Sequence, residues 1–387
     1  MTPPGSAITQ NSVIIAGGGT AGHLVPGLAI ARALVAGGTD AEAIHFVGSA
    51  RGIETEMVPA AGFGLTVLPG RGINERRFTI ENVKNGLHIL GAIVRGVRLV
   101  RRARPRAVVS LGGYAALPAA VGAVVTRTPL ILAEQNARAS LSNRVVARWA
   151  KASSVPVAGT GLRHEVVTGN PVRPEAVAAA AMERDAARAA MGWDLDSTVL
   201  LVFGGSLGAR RINRAVWESA GQLVALGGSA APVRIHHVIG RRDWPDLPVG
   251  LADQSGYHAV EYEHRLELAM AAADLALCRA GGSTVSELAV VGLPAILVPL
   301  PIAPNDHQTA NAQALVAVGA AELMRDEDVD GERVIAVTQS ILDGERPSLA
   351  SRRIAARSVG HPDAAAKVAL LVDTHARQPN PHRGTPR

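Results

Sequence analysis

The stretch AGGGTAGHLVPGLAIA, Ala16 to Ala31, decides how the chain is read. Gly17-x-Gly19-x-x-Gly22 follows the apolar run Ser12-Val13-Ile14-Ile15 and precedes a helical pattern, where a dinucleotide-binding fold carries its glycine-rich turn. Such a turn serves a nicotinamide or flavin when an acid at the end of the second strand holds the ribose. Here that strand, Ala43-Ile44-His45-Phe46-Val47-Gly48-Ser49, ends without an acid. The turn therefore predicts the strand–turn–helix unit without the cofactor, and His23 in the first helical turn predicts a functional group aimed into a cleft.

The same alternation recurs. β-rich apolar runs closed by glycine or a polar turn, each followed by a helical pattern, occupy residues 13–16, 44–47, 107–111, 130–133, 199–203, 235–239, 275–278 and 295–298. Strands alternating with helices predict parallel sheets covered on both faces. The pattern restarts near Val199 with its own glycine turn, GGSLGAR, so the 387 residues are expected to form two doubly wound α/β halves rather than one large sheet. The prolines of GNPVRPEAV, Gly169 to Val177, mark the hinge. The expected divisions are a first domain over 1–170, a second over 171–360, a helix over 361–375 returning to the first, and a disordered proline- and arginine-rich tail over 376–387. Ligands of such folds bind at the carboxyl ends of the strands, which places the expected site in a cleft between the halves.

Composition narrows the partners. A net charge of +6 suits an anionic partner, but 3% aromatic residues leave few stacking rings, and no nucleic acid is expected. The one cysteine, Cys278, lies in an apolar run and reads as a core thiol in a reducing compartment. The first residues, MTPPGSAITQNS, lack the basic start and apolar core of an export signal. Residues 107–126 are uncharged over nearly a membrane-spanning length, but Gly112-Gly113 and Pro118 fit the strand-then-turn pattern instead.

Glycine turns also occur at Leu111-Gly112-Gly113-Tyr114, at Gly204-Gly205-Ser206-Leu207-Gly208 and at Ala280-Gly281-Gly282-Ser283-Thr284. Each opens a helix, whose amide groups and partial positive charge favour phosphate oxygens; equally, each is a tight turn that lets strand and helix pack closely. Taken together the turns suggest two phosphate-bearing ligands. In GGSTVSELAVVGLPAILVPLP, Glu287 can bond a ribose diol while the helix start takes the diphosphate, or it is simply an acid near a helix start.

GGGTAGH, LGGY, AEQNARASLSNR, GNPVR, GGSLGAR, RAGGSTVSELAVVGLP and NDHQTANA, in this order from about Val13 to about Asp373, resemble the MurG family of UDP-N-acetylglucosamine transferases. The resemblance implies a GT-B architecture of two Rossmann-like domains, no cofactor and no metal, with UDP-N-acetylglucosamine held mainly by the second domain. It assigns Thr20, Ala21, Gly22 and Asn136 to the donor sugar, Arg173 and Ser206 to positions near the diphosphate, and Ser283 and Thr284 to the phosphate-binding helix start. It makes Glu287 the ribose acid, aligns Tyr262 and Glu263 with the uracil-reading segment and Gln308 with a ligand of sugar hydroxyls. Gly112, Gly113 and Tyr114 fall to the diphosphate of the acceptor. Many relatives have histidine where this chain has Ala133, and some a second glutamine where it has Thr309.

The implied reaction converts lipid I to lipid II on the cytoplasmic leaflet of the cell membrane. The C4 hydroxyl of the muramyl sugar attacks the anomeric carbon of the donor with inversion. A base must take the hydroxyl proton, and His23, at a helix start that favours neutral imidazole, is the candidate; alternatively it only bonds the loop or a phosphate. Asp194-x-Asp196 resembles a cation-binding acid pair but precedes its strand at the amino end, away from the cleft, and His236-His237 fall within a strand and face opposite sides. Ile80, Val83, Leu87, Leu90, Val94 and Val97 recur at helical spacing beside Lys84, Arg95, Arg98, Arg101 and Arg102, as in a helix lying on an anionic leaflet or one packing with a solvated basic face. An isomerase of the UDP-N-acetylglucosamine epimerase type and a non-catalytic nucleotide-binding module are the competing readings.

Overall fold

A computed structural model describes residues 8–50, 52–68, 80–205, 207–226, 232–343 and 347–378, with the side chains of residues 80–89 outside the description. The chain forms two compact units, one of residues 1–173 and 363–387 and the other of residues 174–362.

The first unit is built on a parallel sheet of β1 (Val13–Ala16), β2 (Ile44–Ser49), β3 (Gly64–Leu68), β4 (Ala107–Ser110), β5 (Leu130–Ala133), β6 (Ala152–Val155) and β7 (Glu165–Val167), in the order β3-β2-β1-β4-β5-β6-β7. Its helices are α1 (Ala21–Ala36), α2 (Glu54–Ala60), α3 (Ile80–Ala103), α4 (Gly113–Thr126) and α5 (Leu141–Val146). A parallel strand between two helical layers must be apolar on both sides, and β1 is wholly buried: Val13 and Ile15 meet Leu24, Ile30 and Leu34 of α1, while Ile14 and Ala16 join Val100, Ala116 and Val146 on the other face.

In the second unit the sheet order is β10-β9-β8-β11-β12-β13, from β8 (Thr198–Phe203), β9 (Val233–Val238), β10 (Tyr257–Val260), β11 (Leu275–Cys278), β12 (Ala295–Leu297) and β13 (Ala321–Leu323). Around it lie α6 (Pro174–Ala180), α7 (Arg184–Met191), α8 (Arg210–Ala225), α9 (Leu266–Ala272), α10 (Gly282–Val291), α11 (His307–Val316), α12 (Gly331–Leu342) and α13 (Leu349–Ser358). Cys278 is fully buried in this core, and burial pushes its thiol far above the usual range, so it is a packing residue.

The last helix, α14 (Ala364–His375), packs on α1, with Val368, Ala369 and Val372 in the core of the first unit and Asp373 paired to Arg106 at 2.7 Å. Arg377 continues this attachment through its amide to Arg106 O at 2.9 Å and its guanidinium to Arg127 O at 2.7 Å. Of the tail expected to be disordered, residues 379–387 lie outside the described residues.

Each of the strands read from the sequence is present, with ends moved by a residue or two; β3, β6, β7, β10 and β13 were not foreseen. Four of these are sheet edges, exposed enough to lack a continuous apolar run. β6 is interior, but Ser153 and Ser154 break its apolar signal; their hydroxyls bond Arg163 O at 2.6 Å and Thr168 Oγ1 at 2.7 Å.

Candidate functional site

Sheet order turns a list of glycine motifs into a location. In each unit the chain reverses its direction of strand addition once, between β1 and β4 and between β8 and β11. The four glycine turns are the loops leaving the carboxyl ends of those four strands, the crevice in which doubly wound folds take their ligands.

The first turn differs from a dinucleotide loop in what fills it. Gly17 N–H donates to Val47 O at 3.0 Å, and Gly19 N–H donates to Glu54 Oε2 at 2.8 Å. The other carboxylate oxygen, Oε1, accepts from Ser49 N at 2.7 Å and Ser49 Oγ at 2.8 Å. Glu54 is fully buried; burial alone would raise its pKa, but the bonds from Gly19 and Ser49 outweigh it and hold the carboxyl below the usual range. The glycines are needed for fit: a Cβ on Gly18 would stand 2.5 Å from the Glu54 carboxyl and one on Gly17 2.6 Å from Leu111 Cβ. Of the two readings open to a glycine turn, the packing one fits the first turn, since its Gly19 amide is already taken by a side chain of the protein. The loop holds its own anion, Glu54, five residues beyond the end of the second strand and turned toward the loop.

Thr20 is the N-cap of α1, its carbonyl accepting from His23 N at 3.2 Å and Leu24 N at 3.1 Å. Its hydroxyl makes no cap bond and instead lies 3.0 Å from His23 Nδ1. Thr20, Ala21 and Gly22 are exposed and His23 half-buried. The opposite edge of the imidazole faces the second turn, where a Cβ on Gly113 would lie 3.7 Å from Nε2. Tyr114 passes over Gly19, and its hydroxyl donates to Ser49 Oγ at 3.3 Å. The turns after β1, β2 and β4 thus meet around Glu54, His23 and Tyr114.

Asn136 stands beside them in sheet order, after β5, and Glu134 explains its setting. This carboxylate, 1% exposed, accepts from Asn136 N and Nδ2 through Oε1 at 3.2 and 3.3 Å, and through Oε2 from Ser140 N, Ser140 Oγ and Asn143 Nδ2 at 3.0, 2.9 and 2.9 Å. Gly112, at φ +82°, leaves room for Ser140 Oγ, which a Cβ would approach to 2.8 Å. At the departure from the family pattern, Ala133 O accepts from Gln135 Nε2.

In the second unit the turn after β8 is also a packing turn. Gly208 and Gly240 have positive φ and meet backbone to backbone, and Asn213 Nδ2 bonds Ile239 O and Asp243 Oδ2, each at 3.0 Å. Arg242 and Arg210 hold the buried Asp243 carboxyl below its usual range. Ser206 lies outside the described residues. The turn after β11 is different. α10 starts from the N-cap Gly281, which has no side chain to cap it, and Ser283 and Glu287 share one face, four residues apart, with Glu287 6% exposed. Asn311 Nδ2 ties α11 to Ala280 O at 3.2 Å. Gln308 Oε1 accepts from Leu300 N at 2.9 Å, beyond β12, and Thr309 Oγ1 donates to Asp306 Oδ1 at 2.7 Å. Tyr262 is exposed past β10, while Glu263 bonds His236 Nε2 at 3.2 Å and Arg265 N at 2.8 Å. Arg173 ends the first of the two stretches that make up the first unit, half-buried.

Asp194 is committed to its turn: Oδ1 accepts from Asp196 N at 3.1 Å and Oδ2 from Arg234 at 3.4 Å. Arg279, not singled out in the sequence, precedes the α10 turn, bonds Val298 O and Pro299 O and pairs with Asp326 at 2.6 Å. Glu134 and Arg279 share one signal that could have revealed them, a lone charge beside a small-residue turn, whereas Glu54, between Arg51 and Glu56, carries no such signal.

Residues 13–155 match the glycosyltransferase family 28 N-terminal domain, and residues 199–368 its C-terminal domain. The UDP-N-acetylglucosamine--N-acetylmuramyl-(pentapeptide) pyrophosphoryl-undecaprenol N-acetylglucosamine transferase of Mycolicibacterium smegmatis is 41% identical over 372 residues, covering 95% of this chain and 94% of the relative. The protein of the same name from Nocardioides sp. is 40% identical, covering 93% and 97%. The crystal structure of Acinetobacter baumannii MurG aligns over 94% of this chain and 99% of that one, with a TM-score of 0.73 at 27% identity. A UDP-GlcNAc 2-epimerase from Neisseria meningitidis shares only the fold, with a TM-score of 0.61 at 12% identity. The chain belongs to the MurG family of UDP-N-acetylglucosamine transferases, in the two-domain GT-B fold.

Proposed function

We infer that the chain is an inverting glycosyltransferase that moves N-acetylglucosamine from UDP-N-acetylglucosamine to the C4 hydroxyl of the muramyl sugar of lipid I, forming lipid II. The observation that carries the mechanism is the pairing of Thr20 with His23. When Nδ1 keeps its proton and donates it to the Thr20 hydroxyl, Nε2 is left as the basic atom on the edge toward Gly113. His23 then serves as the general base for the acceptor hydroxyl, and the acceptor diphosphate is assigned to Gly112, Gly113 and Tyr114.

In this reading the donor is held by the second unit. Amides of the α10 start, with Ser283 and Thr284, take the diphosphate, and Glu287 bonds the ribose. Ser206 and Arg173 assist at the diphosphate, Tyr262 and Glu263 flank the base, and Gln308, Asn136 and Thr20 to Gly22 hold the sugar. Among the described residues no helix is long and apolar enough to cross a membrane. Access to the lipid is assigned to α3, where Leu90 and Val94 are exposed beside Arg95, Arg98, Arg101 and Arg102, the cell membrane being approached peripherally from its cytoplasmic side.

The test is UDP release from UDP-N-acetylglucosamine with and without a lipid I analogue. Release that needs the acceptor and yields the disaccharide supports the reading; epimerised sugar, or tight UDP binding without turnover, would overturn it.

A further inference from the structure

We propose that Glu54 is a positioning residue for this transfer, an internal carboxylate that stands where a ligand phosphate would bind the first glycine turn and thereby sets the station of Thr20 and His23. Its role in setting His23 rests on the reading of His23 as the base; its role in holding the turn does not.

The path is short and continuous. Glu54 Oε2 fixes the Gly19 amide at 2.8 Å, the next residue is the N-cap of α1, and the N-cap hydroxyl is the partner of His23 Nδ1. Glu54 is itself the first residue of α2, so it ties the start of one helix to the start of another. Its second oxygen holds Ser49, which accepts the hydroxyl proton of Tyr114, so the same carboxylate also sets the ring that lies over Gly19. Gly18, Gly48 and Gly52 have no room for a Cβ because Glu54 occupies that space. A residue that merely filled the space would not need to be an acid. Three donors, two backbone amides and a hydroxyl, converge on this carboxylate in a site closed to solvent, and each would lose its partner if the charge were replaced by an apolar group.

Because the anion sits on a side chain, it can be removed and returned. Glu54→Ala leaves a small pocket lined by the Gly19 and Ser49 donors, of a size to accept formate. We expect kcat for transfer to fall about tenfold or more while UDP affinity, measured by calorimetry, stays within about twofold. Sodium formate should then restore kcat several-fold and saturably in Glu54→Ala, but not in wild type or in Glu54→Gln, whose amide fills the pocket. A kcat within about twofold of wild type in Glu54→Ala overturns the proposal. So does a loss that formate leaves untouched in protein with normal UDP affinity and thermal midpoint. If Glu54→Ala does not fold, Glu54→Gln decides by imidazole nitrogen resonances: the His23 tautomer should shift, and an unchanged His23 spectrum with unchanged kcat overturns the proposal. His23→Ala measured in parallel separates the two readings. Near-normal transfer by that variant ends the assignment of His23 as base, while formate rescue of Glu54→Ala still reports whether the turn is held by its carboxylate.

Discussion

Thr20 Oγ1 stands 3.0 Å from Nδ1 of His23, which leaves Nε2 as the atom on the side of Gly113. A base contributes only in the transition state. His23→Ala should therefore lower kcat by about a hundredfold with little change in donor KM. Thr20→Val, which keeps the volume but removes the partner of Nδ1, should cost about tenfold through loss of the useful tautomer. Single-turnover transfer with UDP affinity measured alongside checks both. Near-normal transfer by His23→Ala removes it as base, and a parallel collapse of UDP affinity would make it a phosphate ligand.

Glu287 lies one helical turn beyond Ser283, so a single helix end can read diphosphate and ribose together. Replacing it with alanine removes a charge-assisted bond worth about 1.5–3 kcal/mol, or roughly ten- to a hundredfold in affinity. Calorimetric titration with UDP should show that loss, and titration with uridine should show it too, since both carry the ribose. A loss confined to UDP would point to the phosphates instead.

Much of this fold was legible because buried parallel strands must be apolar and must end in turns, as at Val13–Ala16 and Leu275–Cys278. The edge strand Glu165–Val167 and the interior, serine-bearing Ala152–Val155 were not, because their partners are set by tertiary contact. In the site, spacing identified the turns at Gly17–Gly19 and Gly281–Gly282 but could not say which amides were already taken. That depends on Glu54, whose side chain reaches back to the first turn across 35 residues of sequence. Sequence likewise gave no strand order, and only the order reveals that all four glycine turns flank the two reversal points.

Three buried histidines should make the fold sensitive to acid. Burial lowers His45 from 6.5 to about 4; burial, reinforced by His258 and opposed by Glu263, lowers His236 to about 4; burial and then His236 lower His237 to about 3. Each resists a proton when folded and takes one near its ordinary pKa when unfolded. The unfolded chain therefore binds more protons below about pH 6.5, and stability is lost as pH falls from there toward the folded pKa values. Each group contributes a slope of up to about 1.4 kcal/mol per pH unit in that window. The thermal midpoint should drop steeply between pH 6.5 and 4.5, before most carboxylates titrate. A flat midpoint over that range would show that these imidazoles take up protons in the fold as readily as in the unfolded chain.

The two faces of α3 lead to opposite expectations for substitutions six residues apart. Gly96 is buried against α4, where a Cβ would lie 2.5 Å from Pro118 C, and Ala92 and Val100 share that side. Leu90 and Val94 are 59% and 41% exposed, one turn apart, with Arg95, Arg98, Arg101 and Arg102 also exposed. Gly96→Leu should therefore separate the helices and lower the thermal midpoint, with membrane binding lost only as a consequence of unfolding. Leu90→Ser with Val94→Ser removes apolar area that makes no core contact, so the midpoint should hold. If that area enters an anionic leaflet, burying each side chain is worth up to about 1.5–3 kcal/mol, and the double variant should bind phosphatidylglycerol vesicles about tenfold more weakly or worse. Binding by wild type should also fall between low and high salt, because the arginines act through a screened surface potential. Sedimentation with vesicles, paired with turnover of a short-chain soluble acceptor, separates the effects. Weakened sedimentation with intact soluble turnover supports a lipid-facing stripe. Unchanged sedimentation of the double variant would return α3 to a packing helix with a solvated basic face.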